Sequence, residues 1–167
     1  MFNIFKKNGK EEIKKVVDLV SPLKGRVVKL SEVPDQVFSN KMVGDGLAIE
    51  PTEGLLVSPV EGVIRQIFPT KHAVGIETSE GLEILIHIGI NTVDLNGEGF
   101  EKLAQEGDKV KAGDQLIKFD LDYIKENASS IITPILITNM DSVKELVFND
   151  LKDVEKGKDQ ILSVIAE

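Results

Sequence analysis

Short hydrophobic and alternating runs, separated by turn residues, make up most of this chain. From residue 19 onward, Gly, Pro and Asn-Gly or Asp-Gly pairs interrupt the apolar runs at intervals typical of proteins built from many short strands. Residues 21–30 (SPLKGRVVKL) are echoed by residues 58–67 (SPVEGVIRQI), which indicates two similar strand-turn-strand units. The pattern predicts an all-β fold, an antiparallel β-sandwich or barrel-like structure.

Helix is expected to be a minor component. The predicted helical segments are short, and several begin near an Asp or Ser that can cap a helix. They are residues 35–39, 99–106, 122–129 and 142–151. We therefore expect a β structure with a few short helices at its edges.

One predicted hairpin carries the candidate chemistry. In residues 82–90 (LEILIHIGI) the even positions are all Leu or Ile, so they are expected to face the core. His87 then points outward, together with Glu83 and Leu85. The strand before it, residues 73–77, follows the only other histidine in the sequence, His72.

The two histidines are predicted to oppose each other across this hairpin. In an antiparallel pair, opposed residue numbers have a constant sum, and a loop centred between Ser79 and Glu80 pairs His72 with His87. Directly opposed side chains share a face, with Cβ atoms about 5 Å apart. The functional interpretation is a two-imidazole site on an accessible sheet face; the alternative is two surface histidines brought into register by chance.

The composition fits one domain in a reducing compartment. A chain of 167 residues with 41% hydrophobic residues is expected to form a single domain, residues 19–167, after a flexible tail, residues 1–18. No stretch resembles a membrane span or a secretory signal, so a cytoplasmic location is expected. The absence of cysteine excludes thiolate catalysis and cysteine zinc sites.

The charge distribution favours protein partners. A net charge of -8 argues against nucleic-acid binding and favours a basic protein partner. The tail differs, because Phe2, Ile4 and Phe5 lie beside Lys6 and Lys7. It could be a weak amphipathic segment that touches a membrane, but a solvated, disordered terminus is the favoured interpretation.

Two neighbouring imidazoles are suited to phosphoryl transfer. One neutral ring can attack phosphorus through a nitrogen lone pair, while the other donates a hydrogen bond to the phosphoryl oxygens. Thr70 lies two residues before His72 and could hold that ring by hydrogen-bonding a nitrogen; an ordinary strand threonine is the alternative. The chain has no Gly-x-x-x-x-Gly-Lys loop, so the phosphate would come from another protein.

Apolar residues flank these polar candidates in the sequence. A ring of them around His87 would exclude water and provide a docking surface, although a core position is the alternative for most. They are Phe38, Met42, Val43, Phe68, Leu85, Ile86 and Val93.

Zinc hydrolysis is the remote alternative. A stable zinc site normally has at least three protein ligands, and the chain has two histidines and no His-x-His pair. No serine lies in a nucleophile-elbow pattern either, which argues against a serine hydrolase.

Several sequence blocks together resemble one protein family. Residues 81–93 (GLEILIHIGINTV) look like the phosphorylation-site signature of the glucose-type IIA proteins of the bacterial phosphoenolpyruvate-dependent sugar phosphotransferase system. Further blocks resemble the same family, so the similarity covers about residues 19–140. They are 33–38 (VPDQVF), 42–46 (MVGDG), 58–62 (SPVEG), 70–73 (TKHA) and 96–100 (NGEGF).

This resemblance implies a phosphotransferase component with an antiparallel β-sandwich fold. His87 would accept a phosphoryl group on Nε2 from the phosphocarrier protein HPr and pass it to the IIB part of a membrane sugar permease. His72, held by Thr70, would steady that group. No cofactor would be required, and the two histidines would bind zinc only where a partner protein completes the site. A regulatory binding module, gated by phosphorylation for non-transport partners, is the alternative.

One position departs from the family pattern. The fourth residue after His87, commonly Asp in the family, is Asn91 here, whereas Asp35 keeps the other expected acidic contact. We expect docking of a basic donor to be weaker and less dependent on salt than usual, with the chemistry intact.

Overall fold

The computed structural model describes residues 15–167 with their side chains, and residues 2–7 and 10–14 as strand backbone only. The two α-helices of this part are α1 (Gln36–Ser39) and α2 (Leu121–Asn127), with short 3₁₀ turns at Leu30–Glu32, Thr92–Leu95 and Met140–Ser142. The strands are β1 (Phe2–Lys7), β2 (Lys10–Val20), β3 (Gly25–Lys29), β4 (Asp45–Pro51), β5 (Leu55–Val57), β6 (Gly62–Ile67), β7 (Ala73–Glu77), β8 (Glu83–His87), β9 (Phe100–Lys102), β10 (Lys109–Val110), β11 (Gln115–Phe119), β12 (Thr133–Ile137), β13 (Val143–Phe148), β14 (Asp153–Val154) and β15 (Gln160–Ala166).

The strands form three antiparallel sheets, which confirms the predicted all-β class. The largest sheet has the order β10-β6-β7-β8-β12-β4-β3-β14. A four-stranded sheet, β1-β2-β15-β13, and a three-stranded sheet, β5-β11-β9, complete the structure. The hairpin β7–β8 therefore lies near the middle of the largest sheet, with paired strands on both sides.

The core follows the alternation in the sequence. The even positions from Leu82 to Ile90 are each no more than 1% exposed, as predicted, and belong mostly to the main hydrophobic core. Burying each such Leu or Ile contributes about 1.5–3 kcal/mol to stability. A second, smaller cluster lies on the other face of the largest sheet and consists of Val28, Leu30, Val33, Phe38, Ala48, Ile90 and Leu136.

The predicted internal repeat is present in three dimensions. The Ser21 hydroxyl donates to the Leu23 carbonyl (2.6 Å), and the Ser58 hydroxyl donates to the Val60 carbonyl (2.7 Å). Both serines are fully buried. The residue before each unit also donates its backbone N–H to the proline carbonyl of the other unit, Val20 to Pro59 (3.0 Å) and Val57 to Pro22 (2.9 Å).

Two of the four expected helices are found. Helix α1 lies within the predicted 35–39, where the Asp35 side chain accepts from the Val37 N–H (2.8 Å) and caps the helix. Helix α2 overlaps the predicted 122–129 and is capped in the same way by Asp120.

The other two helix predictions are wrong. Residues 99–106 contain β9, which begins after Gly99 (φ 85°) and pairs with β11. Residues 142–151 contain β13, an edge strand paired with β15. In both segments, pairing with an available sheet edge outweighs a weak helical pattern, and the β-branched Val143 and Val147 suit that pairing.

The expected domain boundary after residue 18 falls inside a strand. Val16 and Val17 pair with Ile165 and Val164 across β2 and β15, and Val17 is 7% exposed. These residues therefore belong to the sheet. The side chains of residues 1–14 lie outside the described part, so the favoured interpretation of the tail as a solvated terminus, and its alternative of membrane contact, both stay predictions. Neither α-helix among the described residues has the length and apolar character that a membrane span requires.

Candidate functional site

The two histidines lie side by side, but not through the predicted register. Their ring centroids are 4.9 Å apart, with an angle of 76° between the planes. However, Ala73 is the residue that pairs with His87, so the predicted direct opposition of His72 and His87 is wrong. The connecting loop has an odd number of residues, 78–82, which shifts the pairing by one position.

A left-handed turn, instead of strand register, brings His72 to its neighbour. His72 lies just before β7 and follows Lys71, whose φ is 60°. Its carbonyl accepts from the Ile88 N–H (2.7 Å), which ties the backbone to the end of β8. Because His72 lies outside the strand, the alternation of strand faces does not decide where its ring points.

Hydrogen bonding fixes the tautomer of His87. Its Nδ1 lies 2.8 Å from the carbonyl oxygen of Gly89, and because a carbonyl only accepts, Nδ1 must carry a proton. Burial lowers the pKa of His87 below its usual value, an effect that the Gly89 carbonyl and the charge of Asp35 partly oppose. In its neutral form, the ring therefore keeps its lone pair on Nε2.

His72 is also neutral near pH 7. It is 4% exposed, and burial, followed by the charge of His87, lowers its pKa to about 4. Its Nδ1 lies 2.6 Å from the Thr70 hydroxyl, which confirms the predicted contact between these residues. When this hydroxyl donates to Nδ1, the proton of His72 resides on Nε2, where it can be given to an anion.

Each histidine ring contacts one phenylalanine ring. Phe38 in α1 lies 5.0 Å from His87 and Phe68 lies 5.5 Å from His72, measured between ring centroids. Phe38 is 7% exposed and packs in the smaller hydrophobic cluster. Asp35, at the start of α1, is close enough for its charge to act on His87. The structure thus brings Asp35, Phe38 and Phe68 to the imidazoles, as the sequence suggested.

The remaining predicted docking residues differ in exposure. Met42 is 72% exposed and Val93 49% exposed, whereas Val43 is half-buried against the smaller cluster. Leu85 is half-buried two residues before His87 on the same strand face. Ile86 lies in the core, so the alternative interpretation holds for that residue.

Two features of the site were missed from the sequence. Val37 is 44% exposed beside Phe38; an apolar residue in the short helix predicted at 35–39 was the available signal. The Gly89 carbonyl is the hydrogen-bond partner of His87, and a backbone group has no side-chain signature in a sequence.

Asn91 adopts a backbone conformation that suits its residue type. Its φ is 60°, in the left-handed region that Asn and Asp tolerate better than most residues. Its amide donates to the Ser129 hydroxyl (2.7 Å). The loop after His87 is therefore tied to residue 129 through the side chain of Asn91.

The site offers few ligands to a metal ion. Among the residues with described side chains, no group of three or more His, Cys, Asp or Glu could hold a metal. The histidine pair alone supplies fewer than the three protein ligands of a typical zinc site.

The fold is that of a IIA-type sugar-transport component. The chain superimposes with a TM-score of 0.85 on glucose permease IIA from Mycoplasma capricolum, at 40% identity, covering 89% of this chain and 96% of that one. Among curated proteins, the glucose-specific EIIA component of the phosphotransferase system from Staphylococcus epidermidis RP62A is 50% identical over 154 residues, 92% of this chain and 93% of the relative. Its counterpart from Staphylococcus aureus COL is 47% identical over the same shares.

The sequence also matches a family over most of its length. The family described as phosphoenolpyruvate-dependent sugar phosphotransferase system, EIIA 1, matches residues 17–143. The chain belongs to this family, and it is a phosphotransferase component of the sugar transport system.

Proposed function

We propose that His87 accepts a phosphoryl group on Nε2 from phosphorylated HPr and passes it to the IIB domain of a glucose-family sugar permease. Membership of the EIIA family and the names of the relatives support the relay and its sugar class. The observation that carries the role of His87 is its hydrogen bond to Gly89, which leaves the lone pair on Nε2.

The chemistry needs no proton transfer by a separate base. The Nε2 lone pair attacks phosphorus while the bond between phosphorus and the donor breaks, with its electron pair leaving on the donor. The His87 ring becomes positively charged, and the Gly89 carbonyl stabilises that charge through Nδ1–H. Transfer to the IIB domain reverses these steps with a new acceptor.

His72 acts as the hydrogen-bond donor in this scheme. Its ring lies 4.9 Å from that of His87, and the Thr70 hydroxyl fixes its Nδ1. With the proton on Nε2, His72 stabilises the phosphoryl oxygens as charge moves between donor and acceptor. Thr70 is a positioning residue, because it acts through His72.

The surrounding surface serves as the docking site for both protein partners. The exposed side chains of Met42 and Val93 offer apolar contacts, and the enclosed rings of Phe38 and Phe68 keep water from the phosphorylated nitrogen. Asp35 and the net charge of -8 favour a basic partner. Val43 and Leu85 complete this surface.

The remaining assignments follow from the same relay. The protein works in the cytoplasm, reaches the membrane only through the permease and needs no cofactor for transfer. Zinc binds His72 and His87 only where a partner supplies a further ligand. The names of the relatives favour the carrier over the regulatory binding module.

The test is phosphorylation of the intact protein by phosphoenolpyruvate, enzyme I and HPr, followed by mass spectrometry. Wild type is expected to gain one acid-labile phosphoryl group, and His87→Ala none. His72→Ala is expected to accept the group but not to pass it to a IIB domain. The proposal fails if wild type gains nothing or if His87→Ala is phosphorylated like wild type.

A further inference from the structure

Two buried threonines hold the peptide group that precedes Gly89. The Thr92 hydroxyl donates to the carbonyl of Ile88 (2.6 Å), and the N–H of Gly89 donates to the Thr133 hydroxyl (3.2 Å). These two backbone groups belong to the same peptide plane. Both threonines are fully buried, so neither hydrogen bond competes with water.

The next peptide group is held from both sides as well. The N–H of Ile90 donates to the carbonyl of Ser130 (2.9 Å), and the carbonyl of Gly89 accepts from Nδ1 of His87. The two planes that flank the Gly89 Cα are therefore both fixed. The direction of the Gly89 carbonyl follows from them, because φ and ψ of that residue have no remaining freedom.

The space around Gly89 shows how closely this loop is packed. A Cβ at Gly89 would lie 2.7 Å from Cγ2 of Thr92 and 2.8 Å from the Ser130 carbonyl oxygen, and φ is 70°. The loop can hold this geometry only with glycine at that position. Thr133 is itself oriented by donating to the carbonyl of Ile131 (3.0 Å).

We propose that Thr133 and Thr92 are positioning residues for phosphoryl transfer, because they aim the Gly89 carbonyl at His87 and so keep Nε2 as the nucleophile. This inference rests on the proposed function, which makes His87 the phosphorylated residue. Without the hydrogen bonds of these two threonines, the Gly89 carbonyl turns away, Nδ1 of His87 loses its partner and the ring populates both tautomers. The tautomer with a proton on Nε2 has no lone pair there to attack phosphorus.

The experiment compares Thr133→Val with a matched control, Thr78→Val. Thr78 is also buried (3% exposed), and its hydroxyl also accepts a backbone N–H, that of Leu82 (3.1 Å), but at the opposite end of the hairpin. Two quantities are measured on the full chain: the imidazole tautomers, by nitrogen-15 NMR of the unphosphorylated protein, and the initial rate of phosphorylation by phospho-HPr. Thermal denaturation establishes that each variant is folded.

Thr133→Val is expected to show mixed tautomers at His87 and a phosphorylation rate about tenfold lower, a smaller loss than the roughly 100-fold that a reacting group displaced by about 1 Å can cost. Thr78→Val is expected to keep the wild-type tautomer and rate, and Thr133→Ser to restore both. If Thr133→Val does not fold, Thr92→Val is measured in its place.

The proposal is overturned if the folded Thr133→Val or Thr92→Val variant keeps the wild-type tautomer of His87, whatever its rate. It is also overturned if Thr78→Val shows the mixed tautomers and the lower rate expected of Thr133→Val. The tautomer measurement requires no phosphorylation. A wild-type protein that gains no phosphoryl group would therefore refute the proposed function, while the NMR spectra would still decide whether the threonines orient His87.

Discussion

Protonation of His72 should destabilise the folded protein in acid. In the folded state, burial and the charge of His87 lower the pKa of His72 to about 4, from 6.5 as the ordinary value. Below pH 6.5 the unfolded chain therefore binds a proton that the folded protein excludes. The contribution of His72 to stability is complete above pH 6.5 and is lost as the pH falls through 4.

The size of this effect follows from the two pKa values. A difference between about 4 and 6.5 corresponds to about 3 kcal/mol of unfolding free energy, at 1.36 kcal/mol per pKa unit. Most of this unfolding free energy is lost within the pH range of a denaturation experiment, since about 2 kcal/mol is lost by pH 5. This is a large part of the stability of an ordinary domain, which is about 5–15 kcal/mol.

The assay is urea unfolding of wild type and His72→Gln between pH 7.5 and pH 4.5. Glutamine keeps a hydrogen-bonding side chain but does not titrate, so the carboxylates affect both proteins equally and cancel in the comparison. His72→Gln is expected to lose less stability on acidification, by about 2 kcal/mol at pH 5. A difference in unfolding free energy that does not vary with pH would refute the reasoning, as would an NMR titration of His72 centred near 6.5.

Three further predictions concern the loops around the site. Gly89→Ala should lower stability by about 3 kcal/mol, because the left-handed backbone is strained by a Cβ and the added methyl group overpacks the loop. The control is Gly81→Ala, whose φ is also positive but where an added Cβ has no atom within 4 Å, so we expect a loss of about 1–2 kcal/mol. Equal losses in urea unfolding would contradict the overpacking. Thr70→Val should slow transfer from the protein to the IIB domain about tenfold, because it removes the hydroxyl that positions His72, whereas Thr70→Ser should stay near wild type. An unchanged rate for Thr70→Val would show that the hydroxyl is not needed. Asn91→Asp should tighten binding of HPr about twofold and steepen its salt dependence in calorimetric titrations. An affinity and a salt dependence that both stay unchanged would refute this expectation.

The fold class could be read from the sequence because alternation reports burial directly. Every even position from Leu82 to Ile90 is buried, and the repeat of Ser21-Pro22 and Ser58-Pro59 corresponds to two equivalent turns. The wrong helices at 99–106 and 142–151 are short segments whose state depends on pairing with β11 and β15. Such pairing is a tertiary effect that local pattern does not contain.

The site was predicted in its members but not in its geometry. The histidine pair and the contact with Thr70 were expected, yet the loop centred between Ser79 and Glu80 was wrong, and so was the strand register derived from it. The two imidazole rings meet because Lys71 takes a left-handed conformation. Lysine rarely adopts this conformation, so the sequence does not predict it. The Gly89 carbonyl could not be predicted, because every residue has a carbonyl and only the folded loop selects this one.

The two imidazoles have different hydrogen-bond partners, so the direction of the hydrogen bond at Nδ1 is fixed for His87 and reversible for His72. The Gly89 carbonyl can only accept, so the hydrogen bond of His87 has a single direction. The Thr70 hydroxyl can rotate, and it can accept from a protonated Nδ1 of His72 as readily as it donates to a bare one. Protonation of His72 would therefore reverse its hydrogen bond with Thr70 instead of breaking it, and protonation of Nε2 of His87 would leave the bond to Gly89 as it is. Neither imidazole needs a backbone movement or a new partner for Nδ1 in order to change its charge.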